Sequence, residues 1–184
     1  NCFKPIFIFM LLCMMLTAAT ELGTTQRIEV LLGKSLESPI LILVFINGLM
    51  ALGRLYAGQI VHKLSITKVL LFSAVFSTIG LFLLANTSGA MTFLAAAVFA
   101  IGVCYFWPTM LSFVSEKIPE SGALGLSLMG GAGMLSVSFV LPQMGKLMDA
   151  NTTGSELLLL YAYIPALLIV AFLILHIYVK TKKI

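Results

Sequence analysis

From Val69 to Ser115 the chain carries no charged residue, and this stretch constrains the fold more than any other feature of the sequence. It is too long for a single membrane-spanning helix, which needs about 20 mostly apolar residues. The cluster Asn86-Thr87-Ser88-Gly89 is its best turn signal, because these residue types favour turns over helix. The stretch is therefore predicted to form two antiparallel spanning helices.

The composition of the whole chain supports lipid as its solvent. Hydrophobic residues make up 60% of the 184 residues and charged residues only 10%, whereas soluble domains carry about 25% charged residues. A net charge of +4 without a basic patch interleaved with aromatic residues argues against nucleic acid as a partner. In a membrane protein such an excess sets the orientation instead.

Hydrophobic segments divided by turn signals predict an all-α membrane protein with six transmembrane helices. The spans cover about residues 5–32, 39–61, 68–85, 90–115, 121–146 and 157–178. The connections are short, so neighbouring helices are expected to be antiparallel, and no soluble domain fits between them. Residues 1–184 are treated as one transmembrane domain, with the lipid bilayer as its first partner. The chain opens on Asn1 rather than methionine, so we expect a fragment or a processed product.

The basic residues divide unequally between the two predicted sides of the membrane. With six spans, one side collects Lys4, Arg54, Lys63, Lys68, Lys117, Lys180, Lys182 and Lys183. The other side collects Arg27, Lys34 and Lys146. Because Lys and Arg in short loops mark the cytoplasmic side, both termini are predicted to be cytoplasmic in an integral membrane protein.

Glu21 is an acidic residue placed well inside a predicted span. It shares a helix face with Thr17, Thr24 and Thr25, at spacings of three and four residues. An ionisable group at membrane depth is costly unless it faces a cavity or a partner. Glu21 either lines a substrate path, where it binds solute or exchanges a proton, or lies near the outer interface, solvated or paired with Arg27. A helix from Pro5 places it roughly 24 Å along the span.

Further polar and aromatic residues extend the list of substrate-path candidates. Asn47 and Arg54 share a face of the second span. Asn47 is expected to bind either solute or a neighbouring helix. Arg54 is expected near the cytoplasmic end, in a structural or gating role. In the fourth span Pro108 predicts a kink, a feature that often borders transporter cavities. The candidates are Glu21, Gln26, Asn47, Tyr105, Trp107 and Gln143.

Other features of the sequence point away from catalysis. Neither HExxH nor GxSxG occurs. The three cysteines are scattered and form no CxxC pair, so neither a metal site nor a cofactor is expected. In the fifth span, Ser127 with Gly131 and Ala132 with Ser136 predict close helix packing.

The segment Gly58-Gln59-Ile60-Val61-His62-Lys63-Leu64-Ser65-Ile66-Thr67-Lys68 resembles the cytoplasmic motif of the major facilitator superfamily. Gly58 and Lys63 match the first glycine and the basic residue of G-x-L-x-D-R-x-G-R-x. His62 stands in place of the acid and Ser65 in place of the second glycine. Gly53 and Arg54, just before the segment, also suit that family. We assign Gly53, Arg54, Gly58, His62, Lys63, Ser65 and Lys68 to this motif loop.

The resemblance implies one half of a twelve-helix bundle and a transport function. The chain looks like the C-terminal half of bacterial members, of the sugar-transporting branch, in the inner (plasma) membrane. A preceding six-helix half would then belong to the same chain. The implied activity is secondary active transport of a small polar solute, such as a sugar, by alternating access coupled to protons. The alternative is a stand-alone six-helix channel or homodimeric transporter; a membrane enzyme finds no support in the sequence.

Overall fold

The computed structural model describes residues 4–32, 39–149 and 152–182, and this part of the chain is helical without strands. The α-helices are α1 (Pro5–Gln26), α2 (Ile28–Leu32), α3 (Pro39–Leu55), α4 (Ala57–Leu64), α5 (Ile66–Asn86), α6 (Met91–Val103), α7 (Phe106–Lys117), α8 (Gly122–Asp149) and α9 (Gly154–Lys182). A short 3-10 turn, Pro119–Ser121, precedes α8.

Five helical segments of the described chain are long and apolar enough to cross a membrane. They are α1, α5, α6 with α7, α8 and α9, and a shorter apolar helix covers Ile40–Leu55. The all-helical prediction is thus confirmed, as is the presence of several membrane-length helices. That the second predicted span also crosses the bilayer stays a prediction.

Three predicted spans consist of two helices each. The first bends at Arg27 and the second at Tyr56, while the fourth is interrupted at Cys104 and Tyr105. The second segment also extends beyond its predicted end at residue 61, because α4 continues to Leu64. The turn predicted at residues 86–89 is present, and Gly89 adopts a φ of +60° there.

The connections gather at two ends of the bundle. At one end Nζ of Lys4 lies 3.0 Å from Oε2 of Glu120, which joins the start of α1 to the turn before α8. At the same end Oγ1 of Thr67 lies 2.8 Å from Nδ1 of His176, which joins α5 to α9. We call this the lysine end, because Lys4, Lys117 and Lys180 also lie there.

Contacts along the helices fix their relative directions. The α1–α8 pair is parallel, since Phe7 lies beside Gly125 and Oγ of Ser136 donates to the carbonyl of Met15 at 2.7 Å. Helix α5 packs against both α6 and α9. Helix α3 packs mainly on α6, and their rings Phe45 and Phe93 meet edge to face with centroids 5.5 Å apart.

Two glycines allow α5 and α6 to approach closely. A Cβ at Gly80 would overlap the backbone of Phe99, and one at Gly102 would overlap the backbone of Ser77. The prediction of close packing at Ser127 and Gly131 in α8 is not met within the described residues. Both are exposed, and a Cβ at Gly131 would have no neighbour within 4 Å. Helix α8 instead buries its other predicted small residue, Ser136, against α1.

Candidate functional site

An ion pair between α1 and α3 lies inside the bundle. Nη2 of Arg54 donates to Oε1 of Glu21 at 2.8 Å. The carboxylate side chain is 5% exposed, whereas the arginine side chain is 43% exposed. Glu21 is therefore paired with Arg54, and the alternative pairing with Arg27 is not the one observed.

The structure places Arg54 within α3, one residue before its end, and that it reaches the cytoplasmic interface stays a prediction. Helix α4 continues the chain to Leu64, about 15 Å beyond Arg54 at the helical rise. Arg54 also lies about 22 Å from the start of α3 at Pro39. Its guanidinium thus lies within the length of the bundle, at the level of Glu21, and an ionisable group inside a helical bundle needs a partner.

The interruption between α6 and α7 supplies a second acceptor for Arg54. Nε of Arg54 donates to the backbone carbonyl of Cys104 at 3.3 Å. In a continuous helix that carbonyl would accept from residue 108, but Pro108 has no N–H. The proline therefore frees an oxygen that the arginine uses, as expected for a broken helix beside a polar site.

A glycine brings α3 close to this interruption. A Cβ at Gly53 would lie 2.9 Å from Sγ of Cys104 and 3.4 Å from Oη of Tyr105. Tyr105 is buried against this glycine. Gly53 and Arg54 thus lie in α3, before the motif segment, and their assignment to the motif stays a prediction.

The carboxylate of Glu21 is only partly satisfied by described residues. Its Oε2 is buried and has no hydrogen-bond partner among them. Thr25, one turn further along α1, donates to the backbone carbonyl of Glu21 at 2.8 Å and not to its side chain. Thr24 and Thr109 are also buried, and among the described residues neither hydroxyl has a partner. The site therefore combines an ion pair at 2.8 Å with buried polar atoms that have no hydrogen-bond partner among the described residues.

Two of the candidates line open faces near the ion pair. Gln26 borders a cavity of about 410 Å³ whose walls include Thr25 of α1, Leu43 of α3 and Leu141 of α8. Asn47 is exposed on α3, and its Nδ2 donates to the carbonyl of Leu43 at 2.8 Å. Because Asn47 and Arg54 are seven residues apart, they share one stripe of α3, as predicted.

The remaining candidates take different places. Trp107 packs against α8, since a Cβ at Gly133 would lie 2.9 Å from its Cη2. Gln143 is exposed on α8. The structure thus brings together Glu21, Arg54 and Tyr105 and leaves Gln143 on the bundle surface.

The motif segment is almost entirely helical. Helix α4 ends at Leu64 and α5 begins at Ile66, so Ser65 alone forms the turn. Ser65 has φ 69° and ψ 144°, a conformation that glycine adopts readily and other residues rarely do. Gly58, Lys63 and Lys68 are exposed, and the side chain of His62 lies outside the part that the structure describes.

Besides the ion pairs of Glu21 with Arg54 and of Lys4 with Glu120, three hydrogen bonds between helical segments were not predicted from the sequence. They are the carbonyl of Cys104 as acceptor for Arg54, the bond between Thr67 and His176, and the bond from Ser136 to Met15. The first could have been found from Pro108, whose missing donor identifies the carbonyl four residues earlier. Within the described ranges, no three His, Cys, Asp or Glu side chains lie close enough to hold a metal ion.

Comparison of the chain with protein-family models, with curated proteins and with solved structures gives no match.

Proposed function

We propose that the chain is the C-terminal six-helix half of a secondary transporter of the major facilitator type. It would move a small polar solute, a sugar or similar metabolite, by alternating access coupled to protons, across the inner membrane of a bacterium. The observation that carries the proposal is the ion pair of Glu21 and Arg54, held within the bundle beside the interruption at Cys104 and Tyr105.

Burial of the Glu21 carboxylate in this pair supports a path for solute or protons better than a purely structural role. A buried ion pair costs desolvation energy that its attraction often fails to repay, so apolar residues would pack as stably there. The side chain of Arg54 is half exposed. If it faced lipid, the hydrocarbon could not satisfy its N–H groups. A water-filled path or a polar solute at this position supplies the missing partners.

The helix directions also support the proposal. In the described chain α1 runs parallel to α8, and α3 runs parallel to α6 with α7, which are the relative directions that alternating spans would have. The glycine-like conformation of Ser65 is in keeping with the motif resemblance, because Ser65 stands where the motif has glycine.

Uptake into proteoliposomes tests the proposed function. The full-length protein, with the six-helix half that the proposal places before this chain, is reconstituted and offered labelled sugars, organic acids, amino acids, nucleosides and drugs under an inward proton gradient. We expect one class to accumulate, and Glu21→Gln to abolish accumulation driven by the pH gradient. Glu116→Gln is the matched control, because this exposed acid lies near the end of α7, far from the ion pair.

Two results would contradict the proposal. If the Glu21→Gln variant accumulates solute at the wild-type level, the proposal that protons are coupled through Glu21 is contradicted. If no solute class enters the liposomes, the proposal that the protein is a transporter is contradicted.

A further inference from the structure

Arg54 has more hydrogen-bond donors than the described chain uses. A guanidinium carries five N–H groups, and two of them are engaged, one by Glu21 and one by Cys104. The side chain is 43% exposed and lies on the same stripe of α3 as the exposed Asn47, so the remaining donors are accessible to a ligand. A planar acceptor is the natural complement, because Arg binds carboxylates through paired, charge-assisted hydrogen bonds.

The length of this stripe gives the size of a ligand. Asn47 and Arg54 are separated by about 10 Å along α3 at the helical rise. The amide nitrogen of Asn47 is bonded to Leu43, which leaves its Oδ1 to accept from a hydroxyl. The small side chain of Ala51 lies between the two polar residues and is also exposed, so it leaves room for a solute there.

The charges around Glu21 determine what an anion would do. Arg54 is the charged group that faces Glu21 from α3, and Cys104 and Tyr105 are the titratable groups at the α6–α7 interruption. Tyr161 of α9 packs at Gly23. The described part of α8 carries Lys146 near its far end, and α7 carries Glu116 and Lys117 at its far end. The ion pair is therefore the dominant local charge.

A carboxylate bound to Arg54 changes this balance. One guanidinium would then face two carboxylates, which leaves one net negative charge in a site of low dielectric where charges interact strongly. A proton from bulk water that forms an O–H bond on Glu21 removes that charge. Binding of the anion and of the proton therefore favour each other, and this coupling is reciprocal. A neutral solute creates no such excess.

We propose that Arg54 binds the carboxylate of a small hydroxylated organic acid, with its hydroxyls toward Asn47, and that one proton enters with it on Glu21. This inference rests on the proposed transport function and names its substrate class. Transport of a monoanion with one proton is electroneutral, so the rate is independent of membrane potential.

Matched pairs of solutes test the substrate class. Proteoliposomes are offered labelled gluconate against glucose, and lactate against glycerol, with a pH-indicator dye inside. We expect uptake of the acids with one proton per molecule, and no effect of a potassium diffusion potential. If neutral sugars or polyols accumulate and the acids do not, the carboxylate inference is overturned while transport stands. If neither class enters, the transport proposal fails.

Variants separate the two roles within the pair. Arg54→Gln should lower carboxylate uptake about tenfold or more, the effect of losing a charged hydrogen bond, and Arg54→Lys should restore part of it. The single variant Arg54→Gln leaves the Glu21 carboxylate buried without a partner and could therefore unfold the protein. The double variant Arg54→Gln with Glu21→Gln carries no charge at either position and is expected to fold. It should also fail to take up carboxylates. Wild-type uptake by the double variant would overturn the proposal.

The single variant Glu21→Gln tests where the proton resides. It retains Arg54 and should still exchange labelled gluconate for unlabelled gluconate across the membrane. It should show no proton uptake and no accumulation driven by a pH gradient. One proton per gluconate in this variant would overturn the assignment of the proton to Glu21.

Discussion

At the scale of single residues, Arg54 joins three parts of the chain that are far apart in sequence. It extends from α3 to the carboxylate of Glu21 on α1 and to the carbonyl of Cys104 after α6. These contacts place one cation between three helical segments, where a charge without a partner is costly. Small errors in the rotation of α3 would therefore break all of them together.

Ser65 gives a test at the same scale. Its φ of 69° lies in a region where residues other than glycine are strained by about 1–3 kcal/mol. Glycine removes the strain but adds about 0.4–1 kcal/mol of unfolded-chain entropy. We therefore expect Ser65→Gly to stabilise the protein by about 1 kcal/mol, measured by thermal unfolding in detergent. Ser65→Ala should leave stability near the wild type; an equal gain from alanine would contradict the strain argument.

At the scale of helices, close packing depends on which glycines face a neighbour. Glycines are frequent in α8, yet a Cβ at either Gly130 or Gly131 would have no neighbour within 4 Å. By contrast, Gly80 in α5 and Gly102 in α6 face a neighbouring backbone and do limit helix separation. Sequence spacing alone does not separate these cases, because it fixes a helix face but not the direction in which the face points.

Gly80→Ala tests the α5–α6 contact. The added methyl group overlaps the backbone of Phe99, which cannot move aside as a side chain would. We expect a loss of about 1–3 kcal/mol in unfolding free energy, as for other overpacked sites. Gly130→Ala is the matched control and should be neutral or slightly stabilising, because alanine favours helix. Equal effects of the two substitutions would contradict the close approach.

Pro108→Ala tests the interruption between α6 and α7. Alanine supplies the N–H that proline lacks, and this donor can bind the carbonyl of Cys104 in competition with Arg54. We expect a more stable protein with slower uptake, measured by thermal unfolding and by flux into proteoliposomes. Pro142→Ala, within the continuous helix α8, is the control and should leave uptake unchanged. Wild-type uptake by Pro108→Ala would show that the interruption is not needed.

At the scale of the whole molecule, the placement of Arg54 alters the count of charges that sets the orientation. Of the eight basic residues assigned to the cytoplasmic side, Arg54 lies inside the bundle, which leaves seven against three. Lys34 and Lys183 of these lie outside the described residues. The bias keeps its sign, so the lysine end is still predicted to be cytoplasmic.

Cysteine labelling checks this orientation. Cys2, Cys13 and Cys104 are first replaced, and one cysteine is then introduced at Ser88 or at Thr181, which are exposed near opposite ends of the bundle. In intact cells we expect an impermeant maleimide to label Ser88→Cys but not Thr181→Cys. Both should react after the membrane is opened. The reverse pattern would contradict the positive-inside prediction.

Much of the fold could be predicted from the sequence because hydrophobic length and turn residues are local signals. The third span was predicted at 68–85 and forms a helix over Ile66–Asn86. The ion pair could not be predicted in this way. Glu21 and Arg54 belong to different segments, and their meeting depends on the rotation of α3 and on the extra helical turns of α4. Local sequence patterns predict neither the rotation of α3 nor the position at which α4 ends.

Trp107 gives the protein an internal optical reporter. It is the single tryptophan of the chain, next to Pro108, and its ring lies against Gly133 of α8, which Ala18 of α1, one turn before Glu21, also approaches. Its emission maximum depends on the polarity around the indole. A shift of the helices around the ion pair would therefore change the colour and intensity of the protein's own fluorescence, without any added label.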